Sequence, residues 1–177
     1  MNIFILNTGR CGSTTFIKAC EHITNYSSTH ESLSTLSGDA RFAYPDNHIE
    51  ADNRLSWFLG KLDNKYADKA FYVHLTRDKQ KTIDSFSKRK DYGIMKAFKE
   101  GILLGGEDNQ SPQITAEDYV NTVDLNIGLF LKDKTNKMSF NLERASQDFE
   151  IFFNKISAEG DMIAALKEFN INYNSSQ

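Results

Sequence analysis

The chain is poor in every feature that would let something other than a packed core hold it together. Its two cysteines, Cys11 and Cys20, cannot make a disulfide framework. Two prolines and ten glycines among 177 residues exclude a low-complexity or turn-dominated chain. Its four histidines are scattered, with no CxxC or HxxxH spacing, so no metal is expected. No apolar run approaches the ~18 residues of a membrane span. Excess positive charge is also missing. The 21 Lys and Arg stand against 24 Asp and Glu, and a net charge of −3 gives no global attraction to nucleic acid or to an anionic membrane. The first residues already read as a core strand, with no room for a removable leader, so a cytoplasmic compartment is expected.

What is present is ordinary in amount and informative in order. A composition of 40 % hydrophobic and 25 % charged residues is that of a globular domain, and the length gives a prior of one domain spanning 1–177. Such a chain buries roughly 70 % of its unfolded surface. The run Ile3-Phe4-Ile5-Leu6 has the unbroken apolar character of a strand covered on both faces, as in a parallel sheet. Residues 26–30, Phe71-Tyr72-Val73-His74-Leu75 and Met138-Ser139-Phe140-Asn141-Leu142 are further strand candidates. Between them lie helical spacings: Phe16, Ile17, Cys20 and Ile23; Leu55, Phe58, Leu59 and Leu62 after an Asn53 cap; Ile94, Met95, Phe98 and Ile102. A helix capped by Thr115 carries Tyr119, Val120, Val123, Ile127, Phe130 and Leu131, and two more helices follow residue 144. The stretch from Glu31 to Asp52 has no clear period. Strands alternating with helices predict an α/β, three-layer fold with a mainly parallel sheet.

The loop after the first strand carries the chemistry. Gly9-Arg10-Cys11-Gly12-Ser13-Thr14-Thr15 joins a buried strand to a helix N-terminus, where backbone N–H groups and the helix dipole attract an anion. Arg10 adds a full charge and three consecutive hydroxyls add donors. The loop is not a Walker A motif, which needs a lysine before its Ser/Thr; Gly12 stands there and the first lysine is Lys18. It is not GxGxxG either.

Arg10-Cys11-Gly12-Ser13-Thr14 resembles the 5′-phosphosulfate loop of sulfotransferases that use 3′-phosphoadenosine 5′-phosphosulfate (PAPS). A second match follows a later strand, where the family's 3′-phosphate motif has an arginine and then, after seven residues, a serine; Arg77 and Ser85 stand at that spacing. A third, weaker one is Ser139-Phe140-Asn141-Leu142-Glu143 before a helix, similar to the family's Tyr-Glu-Asp-Leu strand. The resemblance implies a P-loop-like fold, sulfuryl transfer from PAPS with release of 3′-phosphoadenosine 5′-phosphate (PAP), and a small-molecule or glycan acceptor, a sugar hydroxyl being the family-level expectation. It implies cofactor contacts from Gly9 through Thr15 and from Arg77 and Ser85. The chain departs from the pattern in having Lys79 where a proline is common, and no counterpart of the cytosolic branch's C-terminal Arg-Lys-Gly clamp. Lys88, Arg89 and Lys90 are nearby candidates to complete the 3′-phosphate site.

Sulfuryl transfer also needs a general base. Glu31 is the first candidate, because the resemblance is closer to bacterial and Golgi-type members, which commonly use a glutamate; His30 is the second. Arg10 would offset charge on the leaving oxygen. His48, Glu50 and Asp52 form another polar group able to bind acceptor hydroxyls, and Tyr44 and Trp57 could stack on an acceptor, although core packing suits both. Cys11 and Cys20 are expected to be passive, although Cys11, by its place in the loop, is the one of the two that could be open to oxidation. Two alternatives remain beside the enzyme reading: a P-loop phosphotransferase using a nucleoside triphosphate, and a non-catalytic module that binds a phosphorylated ligand.

Overall fold

A computed structural model describes residues 1–107, 109–171 and 173. Five strands, β1 (Ile3–Leu6), β2 (Ser27–His30), β3 (His48–Ala51), β4 (Phe71–Thr76) and β5 (Lys137–Asn141), form one sheet in the order β2-β3-β1-β4-β5. Every pairing is parallel. The architecture is α/β, as expected, with helices on both faces of the sheet.

Alternation along the strands divides the core in two. Ile3 and Ile5, with Val73, Leu75 and Phe140, face a cluster built on α1 (Ser13–Cys20), α6 (Ala145–Lys155) and α7 (Met162–Glu168). Phe4, Leu6 and Tyr72 face a cluster built on α2 (Leu59–Tyr66), α3 (Lys79–Ser87), α4 (Gly93–Ala97) and α5 (Pro112–Leu131). Right-handed crossovers explain the division. Among the described residues, only β1→β2 runs in one direction across the sheet, so α1 is the only crossover helix described on its face. All later connections run the other way and fill the opposite face. The two helices after β5 return to complete the cover over α1.

The expected strands form, with ends shifted by a residue or so. The one not foreseen is β3. Its four residues are all buried, including His48 and Glu50, so polarity at two positions masks a strand that lies inside the sheet. Two caps also move. Asp52, not Asn53, accepts from the Arg54 N–H and caps a short 3-10 helix at Asn53–Trp57. Ser111, with Pro112 at the first helical position, caps α5, while Thr115 is buried within it.

Candidate active site

Because the sheet is parallel, the segments that follow β1, β2, β3 and β4 emerge at one edge. The loop after β1 is held from below. The Asn7 side chain accepts from the Gly9 N–H at 2.8 Å and donates to the Ile5 carbonyl at 3.0 Å. Tyr119 and Ser56 donate hydroxyl bonds to the Thr8 and Asn7 carbonyls at 2.7 and 3.0 Å. Arg10 has φ 59°, between two glycines with φ 90° and 85°. Gly12 is required at its position on a second count: a Cβ there would lie 2.8 Å from the Leu142 methyl groups. Gly12 is also the N-cap of α1 and offers no side chain, so no side-chain cap occupies the first-turn N–H groups.

Arg10 is the centre of the cationic side. Its Nε donates to the Ser85 hydroxyl at 3.0 Å, and the Arg77 guanidinium donates to the Arg10 carbonyl at 3.3 Å. Burial lowers the Arg10 pKa from its ordinary value, and repulsion from Arg89 and then Arg77 lowers it further. The charges of Arg89 and Arg77 thus both bear on Arg10 at the start of α1, an arrangement that an anion would relieve.

A cleft of about 240 Å³ opens beside this cluster. Among the expected residues, Gly9, Arg10, Ser13, Thr14, His30 and Glu31 line it. Cys11, Gly12, Thr15, Arg77 and Ser85 do not line it. Ser85 serves Arg10 directly, and the Cys11 thiol points inward, 1 % exposed. Cys11 is a passive thiol, as expected, and its place in the loop does not open it to oxidation: burial raises its pKa to about 11. Of Lys88, Arg89 and Lys90, only Arg89 reaches the cleft.

Each candidate base has its own partner. His30 Nε2 lies 3.0 Å from the Ser13 hydroxyl. Glu31, at φ 54°, forms an ion pair with Arg54 at 2.9 Å. Arg54 and its neighbour Asn53 are cleft residues that sequence reasoning missed. The available signal was the Asp52-Asn53-Arg54 sequence at the end of a strand that was not recognised.

His48, Glu50 and Asp52 do not form an acceptor site. All three are buried, at 3 %, 0 % and 0 % exposure, and they hold the site from beneath. The Glu50 carboxylate accepts from Thr29 Oγ1 at 2.6 Å, Ser32 Oγ at 2.6 Å and the Ser32 N–H at 2.9 Å, and lies 3.2 Å from His48 Nε2. It thereby clamps both sides of the His30–Glu31 turn. Burial alone would raise its pKa, but bonds from His48, Ser32 and Thr29 outweigh burial and the net shift is downward. Asp52 binds buried Arg41 at 2.6 Å and the Arg54 N–H at 2.8 Å; here burial prevails and its pKa rises. Tyr44 stacks on the His48 ring at 5.6 Å, and Trp57 packs against Phe98 and Tyr119. Neither lines the cleft.

The chain is similar to a solved structure described as the sulfotransferase domain from the curacin biosynthetic pathway. The two share 15 % identity, with a TM-score of 0.67 over 96 % of this chain and 78 % of that one. No protein-family model matches the sequence, and no curated protein does. The fold is therefore that of a sulfotransferase domain, of the P-loop-like kind. Among the described residues, no helix is long and apolar enough to cross a membrane, and no group of three or more His, Cys, Asp or Glu is placed to hold a metal ion.

Proposed function

We propose that the protein is a sulfotransferase that moves a sulfuryl group from PAPS to a hydroxyl or amine acceptor. The observation that carries this reading is the convergence of Arg10, Arg77 and Arg89 at the uncapped start of α1. That donor set fits a ligand with two separate anionic groups. The N–H groups of the first turn of α1, with the Ser13 and Thr14 hydroxyls, would hold the 5′-phosphosulfate. Arg77 and Ser85, which bond to Arg10 outside the cleft lining, would hold the 3′-phosphate. When bound, PAPS supplies the sulfuryl group, and its bridging oxygen leaves with PAP.

The remaining work falls to this chain's own side chains. Arg10 is placed to offset charge growing on the leaving oxygen. Glu31 would accept the acceptor's proton, with Arg54 fixing its orientation. His30 is the second candidate for that role. As in phosphoryl transfer, most of the rate would come from alignment and charge stabilisation.

PAP should raise the melting temperature more than ATP-Mg does. Equal shifts, or none from PAP, would overturn the reading. A phosphotransferase is disfavoured by Lys18, the first lysine after the loop, which pairs with Glu21 on the exposed side of α1. A non-catalytic phospho-ligand module draws support from one observation: the Glu31–Arg54 pair engages the carboxylate that would accept the proton. Turnover of labelled PAPS separates that module from the enzyme.

A further inference from the structure

One side of α5 faces solvent along most of its length. Burial of Ala116, Tyr119, Val120, Val123 and Ile127 fixes the inner side, from which Tyr119 reaches the Thr8 carbonyl. Helical spacing puts Asp118, Asn121, Leu125, Gly128, Leu129 and the C-cap Lys132 on the opposite side. All are exposed except Asn121, which is half-buried. Leu125 and Leu129, one turn apart, are each 73 % exposed. Single exposed leucines are common, but two stacked at this spacing form a continuous apolar contact surface. Gly128 lies beside them, and a Cβ there would meet nothing within 4 Å. Glycine in an exposed helix interior is less stable than alanine, and packing inside the fold does not require it here. Its effect is to leave the helix backbone open to close approach from outside.

We propose that this face of α5 is a dimer interface, and that its occupant is a second copy of the chain lying antiparallel across it. Charge decides the orientation. Acidic Asp118 stands at one end of the stripe and basic Lys132 at the other, and neither is in an ion pair with another described residue. Each is seven positions from Leu125. A two-fold axis at Leu125 therefore sets Lys132 of each copy opposite Asp118 of the other, whereas a parallel pairing would set like charges together. The two Leu125 side chains meet on the axis. Gly128 of one copy falls opposite Asn121 of the other, where the missing side chain lets the helices close up. A helix of 20 residues presents a strip on the order of 300 Å². That is well below the ~800 Å² per partner of a standard stable interface, so the dimer is reversible rather than obligate. It braces, from outside, the helix whose Tyr119 supports the loop after β1. The inference does not depend on the sulfotransferase reading.

The test follows the mass of the full chain by sedimentation equilibrium from about 10 to 500 µM, the range of a weak, reversible contact. The weight-average mass should rise from 20.2 kDa toward twice that value. L125E and G128K should hold it at the monomer value. Both positions are exposed, so both variants should fold, and circular dichroism spectra and melting curves check this. D118K and K132E should each weaken association about fivefold, since each turns attraction into repulsion at two symmetric contacts. The double variant D118K/K132E should restore it. A monomer at every concentration would overturn the proposal. So would a dimer that survives L125E and G128K, because it would use another surface. A double variant that associates no better than the single ones would overturn it too, because the copies would not cross in this register.

Discussion

Arg10 and Ser85 are joined by a 3.0 Å bond from the guanidinium Nε to the serine hydroxyl, across 75 positions of sequence. This contact ties the loop after β1 to α3, and so ties the two ends of the proposed donor site together. Ser85→Ala should weaken PAP by about three- to tenfold through loss of one hydrogen bond and of Arg10's orientation. Arg77→Ala should instead erase the preference for PAP over AMP. Calorimetric affinities for both nucleotides check this; unchanged discrimination in Arg77→Ala would remove Arg77 from the 3′-phosphate.

Glu31→Gln should lower turnover by about 10²–10⁴-fold, the range for loss of a general base, with PAP affinity nearly intact. Turnover is followed with labelled PAPS and PAP affinity by thermal shift. Normal turnover would pass the role to His30, which the parallel His30→Gln variant examines.

Glu50 links the turn bearing the candidate bases to acid stability. Burial opposes its charge, but its hydrogen bonds win, so its folded pKa lies below the ordinary 4.5. The carboxylate's contribution is thus complete above pH ~4.5 and is lost as the pH falls through the lower, folded value. Glu50→Gln should be less stable than the parent at pH 7, by about 1–3 kcal/mol. That gap should narrow steadily below pH 4.5 in denaturant titrations. A gap independent of pH would show that the charge of Glu50 contributes nothing.

Both thiols should resist alkylation in the native state at pH 8. Cys11 and Cys20 are buried, and burial raises both pKa values, that of Cys11 to about 11. Two equivalents should react only on unfolding in guanidinium. Rapid modification of Cys11 in the folded protein would mean that the loop opens far more readily than its bonds to Asn7 and Tyr119 imply.

The sheet was readable in the sequence wherever both faces of a strand are apolar, as at Ile3–Leu6 and around Phe71–Leu75. It was unreadable at β3, where His48 and Glu50 are buried by virtue of hydrogen bonds rather than apolarity. That one omission hid Arg54, since its place at the shared sheet edge follows only from the strand before it. The loop stands out because glycine, arginine and hydroxyl residues at a strand end have few structural uses, whereas His30 and Glu31 stand out only through their place after the second strand and the family resemblance. The Arg77–Ser85 spacing was visible, but the rotation of α3 was not. Burial of Thr82, Ile83 and Phe86 fixes that rotation and turns Ser85 toward Arg10.

The single crossover helix on its face has a thermodynamic consequence. α1, whose first turn follows the Gly9–Gly12 loop, is covered by α6 and α7, and the turn between those helices crosses the end of α1 closely. Asp161 donates to the His22 carbonyl at 3.0 Å, Thr24 donates to the Glu159 carbonyl at 2.7 Å, and a Cβ on Gly160 would fall 2.1 Å from the His22 oxygen. Docking of the last two helices and occupancy of the loop therefore draw on the same helix, and linkage makes their effects reciprocal. Bound PAP should slow proteolysis after residue 144, and Gly160→Ala should weaken PAP although residues 159–161 do not line the cleft. In this fold α6 and α7 and the loop before α1 share one helix as their common support.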